Sequence, residues 1–112
     1  MKKILVVCSQ NRWRSPTAEA IYRHDNRIAI RSAGLAKNSP HFITRSDIEW
    51  ADILLYMEKE HLEKTKKIFP SMTLPRAINL DIPDIYPYMD PELIETLREK
   101  IEAIFNPYSM SS

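Results

Sequence analysis

Cys8 is the only cysteine in the chain, and Arg14 follows it after five intervening residues, in the run "CSQNRWRS". A thiol becomes a strong nucleophile where its surroundings favour the thiolate: a helix N-terminus, backbone N–H groups, a nearby cation. Seven residues between a strand end and a helix start can curl into a cradle with its amides turned inward, toward a tetrahedral oxyanion. In such a cradle Ser9, Gln10, Asn11, Arg12, Trp13, Arg14 and Ser15 would together hold a phosphate dianion, Arg14 through a planar two-pronged contact. Nucleophile and electrophile would then share one pocket, and the charge that develops would meet fixed donors. The quieter alternative is that Cys8 is a small buried hydrophobe at a strand end. The C-x5-R spacing alone is a weak motif, so its setting decides between the two.

That setting is an alternation of strands and helices. Residues 4–7 are a continuous aliphatic run that reads as a buried parallel strand. Ser15-Pro16 then marks a helix start, with serine as N-cap and proline at the first helical position. Residues 27–31 alternate as an edge strand would, and 32–40 read as a loop containing Gly34, the only glycine. A short helix over 43–50, a buried strand over 52–57, a charged helix over 59–69 and a strand over 76–80 follow. A loop rich in proline and aspartate fills 81–90, with Asp90 expected to cap a final helix, Pro91–Phe105. Residues 106–112 are expected to be a flexible tail. This alternation predicts an α/β fold with a parallel sheet and helices on both faces. All strand C-termini then lie along one edge, where ligands bind. Cys8 and the candidate acids Asp81, Asp84 and Asp90 open onto that same edge.

Composition narrows the classes. A chain of 112 residues is expected to form one domain, and its net charge of +1 excludes a polybasic nucleic-acid arm. No apolar run approaches a membrane span, and MKKILVVC is too short in its apolar part for a signal peptide, so neither membrane nor nucleic acid is expected as a partner. One cysteine fits a reducing cytoplasm, and His24, His41 and His61 show no metal-ligand spacing with it.

"VCSQNRWRSPTAEA" resembles the active-site segment of the low-molecular-weight protein tyrosine phosphatases, whose pattern runs V-C-x-G-N-x-C-R-S-P-x-A-E. "RSAG" (31–34) is similar to that family's second strand and its turn, "DIEWADILLYMEKEHL" (47–62) to its third strand and following helix, and "LDIPDIYPYMD" (80–90) to its acid loop. The resemblance implies a flavodoxin-like phosphatase architecture, three layers with strand order 2-1-3-4. It implies that Cys8 attacks phosphorus to form a phosphocysteine, that Arg14 and the loop amides hold the phosphoryl oxygens, and that Asp84 acts as acid and then base. Ser15 would donate to the sulfur, and Asn11 would brace the loop through Ser32, with His41 a candidate for the same network. Trp13, Tyr86 and Tyr88 would wall the substrate ring. No metal or other cofactor is implied. The expected substrate is a phosphotyrosine protein or a small aryl phosphate, with inorganic phosphate as product.

Three departures bear on this. Gln10 stands where the family has glycine, which would be costly if the backbone there were left-handed. Trp13 stands where the family has a second cysteine, so no protective thiol pair can form with Cys8. Only about 18 residues separate the second and third strands, a segment that normally helps wall the cleft. Asp81 remains a rival to Asp84 as the acid, and a non-catalytic phosphate-binding module a rival to the enzyme. A thiol-dependent arsenate reductase would need further cysteines.

Overall fold

The computed structural model describes residues 1–105; the tail expected at 106–112 lies outside the described residues. The first strand, β1 (Lys2–Cys8), is where the core begins. Its side chains alternate across the pleat, so Ile4, Val6 and Cys8 join one apolar cluster while Leu5 and Val7 join another. A strand buried on both faces must sit centrally, and β1 pairs in parallel with β2 (Ile28–Gly34) on one side and β3 (Ile53–Tyr56) on the other. Adding β4 (Arg76–Asn79) gives one four-stranded sheet of order β2-β1-β3-β4.

The first cluster lies under α1 (Arg14–Tyr22) and α4 (Pro91–Phe105), through Ala18, Tyr22, Leu93, Leu97 and Ile101. The second lies under α2 (Arg45–Trp50) and α3 (Lys59–Ile68), through Ile48, Ile68 and neighbours. Helices therefore cover both faces, the three-layer arrangement that the alternation of elements implied. Among the described residues no helix is long and apolar enough to cross a membrane.

Two expectations need correction. The second strand does not stop at Arg31: Ser32, Ala33 and Gly34 remain strand because each pairs with β1, Gly34 directly opposite Cys8. Pairing with a buried neighbour overrides the loop-forming character of Ser-Ala-Gly. The first helix starts at Arg14, with Trp13 at the N-cap, so Ser15 is not the cap and Pro16 sits third in the helix. Proline is tolerated there because the first N–H groups of a helix have no internal acceptor. Asp90 does cap α4, its Oδ2 accepting from the N–H of Glu92 at 3.0 Å and of Leu93 at 3.2 Å.

Gly34 matters for its lack of a side chain. A Cβ there would meet Ser39 Oγ, would lie 2.6 Å from Ser39 Cβ, and would come within 2.9 Å of Asn11 Cβ. Gly34→Ala should therefore destabilise the fold by about 1–3 kcal/mol, the usual range for overpacking. Thermal denaturation checks this; an unchanged melting temperature would show that the loop bearing Ser39 yields freely.

Candidate active site

The loop between β1 and α1 leaves the sheet at its C-terminal edge. There β1 lies between neighbours reached by opposite crossovers, the position where such sheets bind ligands. Its carbonyls are anchored: Leu35 N–H donates to Cys8 O and to Ser9 O, both at 3.1 Å, and Ala36 N–H to Ser9 O at 2.9 Å. Its amides are not. Among the described residues, no backbone N–H from Ser9 to Trp13 donates to a protein acceptor. Donors left unspent in a loop that enters a helix are what an oxyanion cradle requires.

Asn11 gives the loop its curl. It takes a left-handed backbone, φ 54°, while Gln10 does not adopt a positive φ. The strain expected where the family has glycine therefore does not arise at Gln10, because asparagine takes the left-handed turn one residue later. The Asn11 side chain then fixes the turn. His41 N–H donates to its Oδ1 at 3.2 Å, and its Nδ2 donates to Ser15 Oγ at 3.0 Å and Ser32 Oγ at 3.1 Å. Ser32 passes its own hydrogen to Glu19 at 2.6 Å. Ser15 already accepts, so its single hydrogen has two destinations, Cys8 Sγ at 3.0 Å or Ala33 O at 3.4 Å. The shorter contact is to sulfur.

The His41 ring lies behind this network, 2.8 Å from Asp47 Oδ2. Burial alone would raise the Asp47 pKa, but hydrogen bonds from Thr44 and His41 outweigh it and hold the carboxyl below its usual range.

Arg14 is only 1% exposed, and its guanidinium is partly committed. Nη1 donates to Ile82 O at 2.7 Å and to Glu58 Oε2 at 3.1 Å. Nε has no hydrogen-bond partner, although Asp84 Oδ1 lies 3.5 Å away. A buried N–H with no hydrogen-bond acceptor is costly, and an anion placed beside it would satisfy it. The Nε edge is thus left for a two-pronged contact.

Cys8, Gln10, Arg12, Trp13, Arg14 and Asp84 line a cavity of about 130 Å³, a few waters' worth of space, the scale of one tetrahedral oxyanion. Cys8 is 3% exposed and contributes to the cavity wall. Trp13, 43% exposed, also lines an adjoining hollow with Arg12, Pro16, Pro40 and Tyr88. Tyr86 instead packs against the core cluster and lines neither space. Asp81 does not line the cavity: two residues past the end of β4, it holds a left-handed backbone, its N–H bonded to Asn79 Oδ1 at 2.8 Å.

The loop over residues 80–90 is tied down near both ends. Ile82 N–H donates to Met57 O at 3.0 Å, and Met89 N–H to Thr17 Oγ1 at 3.0 Å. Sequence reasoning missed two residues here, Glu58 and His61. Glu58 holds Arg14, and the His61 Nε2 lies 3.0 Å from Ser9 Oγ. Their one available signal was position, immediately after a buried strand on the edge that carries Cys8.

Neither a protein-family model nor a curated protein sequence matches the chain. Solved structures do match it in fold. The low molecular weight protein tyrosine phosphatase SP-PTP from Streptococcus pyogenes superposes with a TM-score of 0.79 at 17% identity, over 96% of this chain and 93% of that one. The low molecular weight phosphotyrosine phosphatase VcLMWPTP-2 from Vibrio cholerae O395 gives 0.76 at 21%, over 100% and 99%. The YwlE arginine phosphatase from Geobacillus stearothermophilus gives 0.73 at 19%, over 99% and 95%. Across almost its whole length the chain shares the flavodoxin-like α/β fold of these proteins.

Proposed function

We propose that the chain is a cysteine-dependent phosphate monoester hydrolase of the low-molecular-weight protein tyrosine phosphatase type, acting as a single domain in the cytoplasm. One observation carries the reading: the Cys8 sulfur and the unpartnered Nε edge of Arg14 share a small cavity with the carboxylate of Asp84. Sulfur, guanidinium and acid are the three groups that a two-step phosphoryl transfer needs.

In the first step the Cys8 thiolate attacks phosphorus and the P–O bond to the leaving group breaks. Asp84 gives its proton to the departing oxygen. In the second step Asp84 takes a proton from water, the water oxygen attacks phosphorus, and the P–S bond breaks. Inorganic phosphate leaves, and the Ser15 hydroxyl stabilises the departing sulfur. Arg14 and the loop amides, among them those of Gln10 and Arg12, neutralise charge on the equatorial oxygens in both steps. Trp13, with Tyr88 beside it, offers an apolar face for an aromatic leaving group, which favours a phosphotyrosine or another aryl phosphate. The neighbours of like fold, described as tyrosine and arginine phosphatases, support the same chemistry.

Hydrolysis of p-nitrophenyl phosphate and of a phosphotyrosine peptide in the presence of EDTA tests the proposal. Turnover of both is expected, competitively inhibited by phosphate. Phosphate binding by calorimetry with no turnover of either would replace the enzyme with a phosphate-recognition module.

A further inference from the structure

His61 is 4% exposed and lies between the two ends of the loop. The N–H groups of Met57 and Glu58 both donate to its Nδ1 at 3.2 Å. A nitrogen that accepts from two donors carries no proton, so the ring hydrogen of the neutral imidazole is on Nε2. That N–H faces Ser9 Oγ at 3.0 Å, with Glu58 Oε2 at 3.4 Å. Ser9 follows the nucleophile directly. Glu58, whose backbone the same ring holds, is the carboxylate that grips Arg14 Nη1 at 3.1 Å. We infer that His61 is a positioning residue for the proposed phosphoryl transfer: its neutral ring, acceptor on one nitrogen and donor on the other, ties Ser9 at the start of the cradle to the Glu58–Arg14 pair at its end.

The inference rests on the phosphatase reading above and adds a pH dependence to it. Burial, and then the charge of Arg14 on α1, lower the pKa of His61 from its ordinary value, against Glu58, Glu60 of α3 and Asp84 of the loop over residues 80–90, which raise it. Protonation would put a hydrogen on Nδ1, facing two N–H donors. The folded state resists that proton while the unfolded chain accepts it, so this residue's contribution to stability falls as pH drops below about 6.5. The clamp is lost where the ring finally charges.

Two substitutions separate the two nitrogens. In His61→Asn the side-chain oxygen can take the place of Nδ1 and keep the Met57 and Glu58 bonds, but it cannot reach Ser9. In His61→Gln the amide N–H can reach Ser9. For p-nitrophenyl phosphate, His61→Asn is expected to lose about 10–100-fold in kcat/KM, the scale of a reacting group displaced by about 1 Å. The inhibition constant of phosphate should rise with it, and His61→Gln should recover part of the loss. Ser9→Ala, which leaves the Nδ1 bonds untouched, should reproduce the loss, and the double variant should be no worse than either single one. The ratio of wild-type to His61→Asn activity should approach one as pH falls through the range where the ring charges. An active wild type with Ser9→Ala or folded His61→Asn within about twofold of it would overturn this inference and leave the phosphatase reading standing. So would losses that add in the double variant. A wild type that neither hydrolyses p-nitrophenyl phosphate nor binds phosphate would overturn the reading itself.

Discussion

Cys8→Ser is expected to remove turnover, by on the order of 10⁴-fold or more, while phosphate binding survives. A hydroxyl fits the space of the thiol, but it stays protonated near neutral pH and is a far weaker nucleophile than a thiolate. Ser15, its nearest polar neighbour, already accepts from Asn11 and can only donate onward. The proposed oxyanion donors are untouched by the change: Arg14 keeps its Ile82 and Glu58 partners, and its Nε still has no hydrogen-bond partner. Phosphate should therefore bind about as tightly as in the wild type. Steady-state kinetics beside calorimetry reads both quantities. Undiminished hydrolysis by the variant would mean a different nucleophile.

Asp84→Asn carries the second largest effect, a loss in kcat of about 10²–10⁴, typical for removal of a general acid. The loss should deepen for leaving groups more basic than p-nitrophenolate, because those depend most on a proton at departure. Asparagine also lifts the negative charge 3.5 Å from Arg14 Nε, so substrate affinity should hold or improve and the defect should appear in kcat. Asp81→Asn is the control. Its side chain lies outside the cavity, and its backbone N–H is bound to Asn79, so activity near that of the wild type is expected. Equal loss in the two variants, measured across aryl phosphates of graded acidity, would remove Asp84 from its role.

Local features made much of this arrangement readable. The five-residue spacing from Cys8 to Arg14 lies between a run of aliphatic residues and a segment in which Ala18, Ile21 and Tyr22 recur at helical spacing. Those patterns put the cysteine at a strand's C-terminal end, as observed, but the helix start at Ser15-Pro16, where the structure begins the helix at Arg14 itself. Asp90 before Pro91 announced its cap for the same reason, since capping is local chemistry. The extension of β2 through Ser32–Gly34 was hidden because those residues favour turns and became strand only through pairing with Val6, Val7 and Cys8. Ser15 resembled a helix cap because Ser-Pro is a cap signal, yet its hydroxyl is spent on a sulfur seven residues back. Glu58 and His61 lie 44 and 52 residues from the groups they hold, and no periodicity carries contacts of that range.

The same separation shapes how the protein comes to be. Arg14 needs a carboxylate 44 positions downstream and a carbonyl 68 positions downstream before its buried charge is matched. During synthesis from the N-terminus, the first strand and helix leave the ribosome early but cannot close their pocket until residue 82 has followed. A nascent chain that has not yet reached residue 82 therefore cannot match the buried charge of Arg14 or complete the surroundings of the loop that carries Cys8.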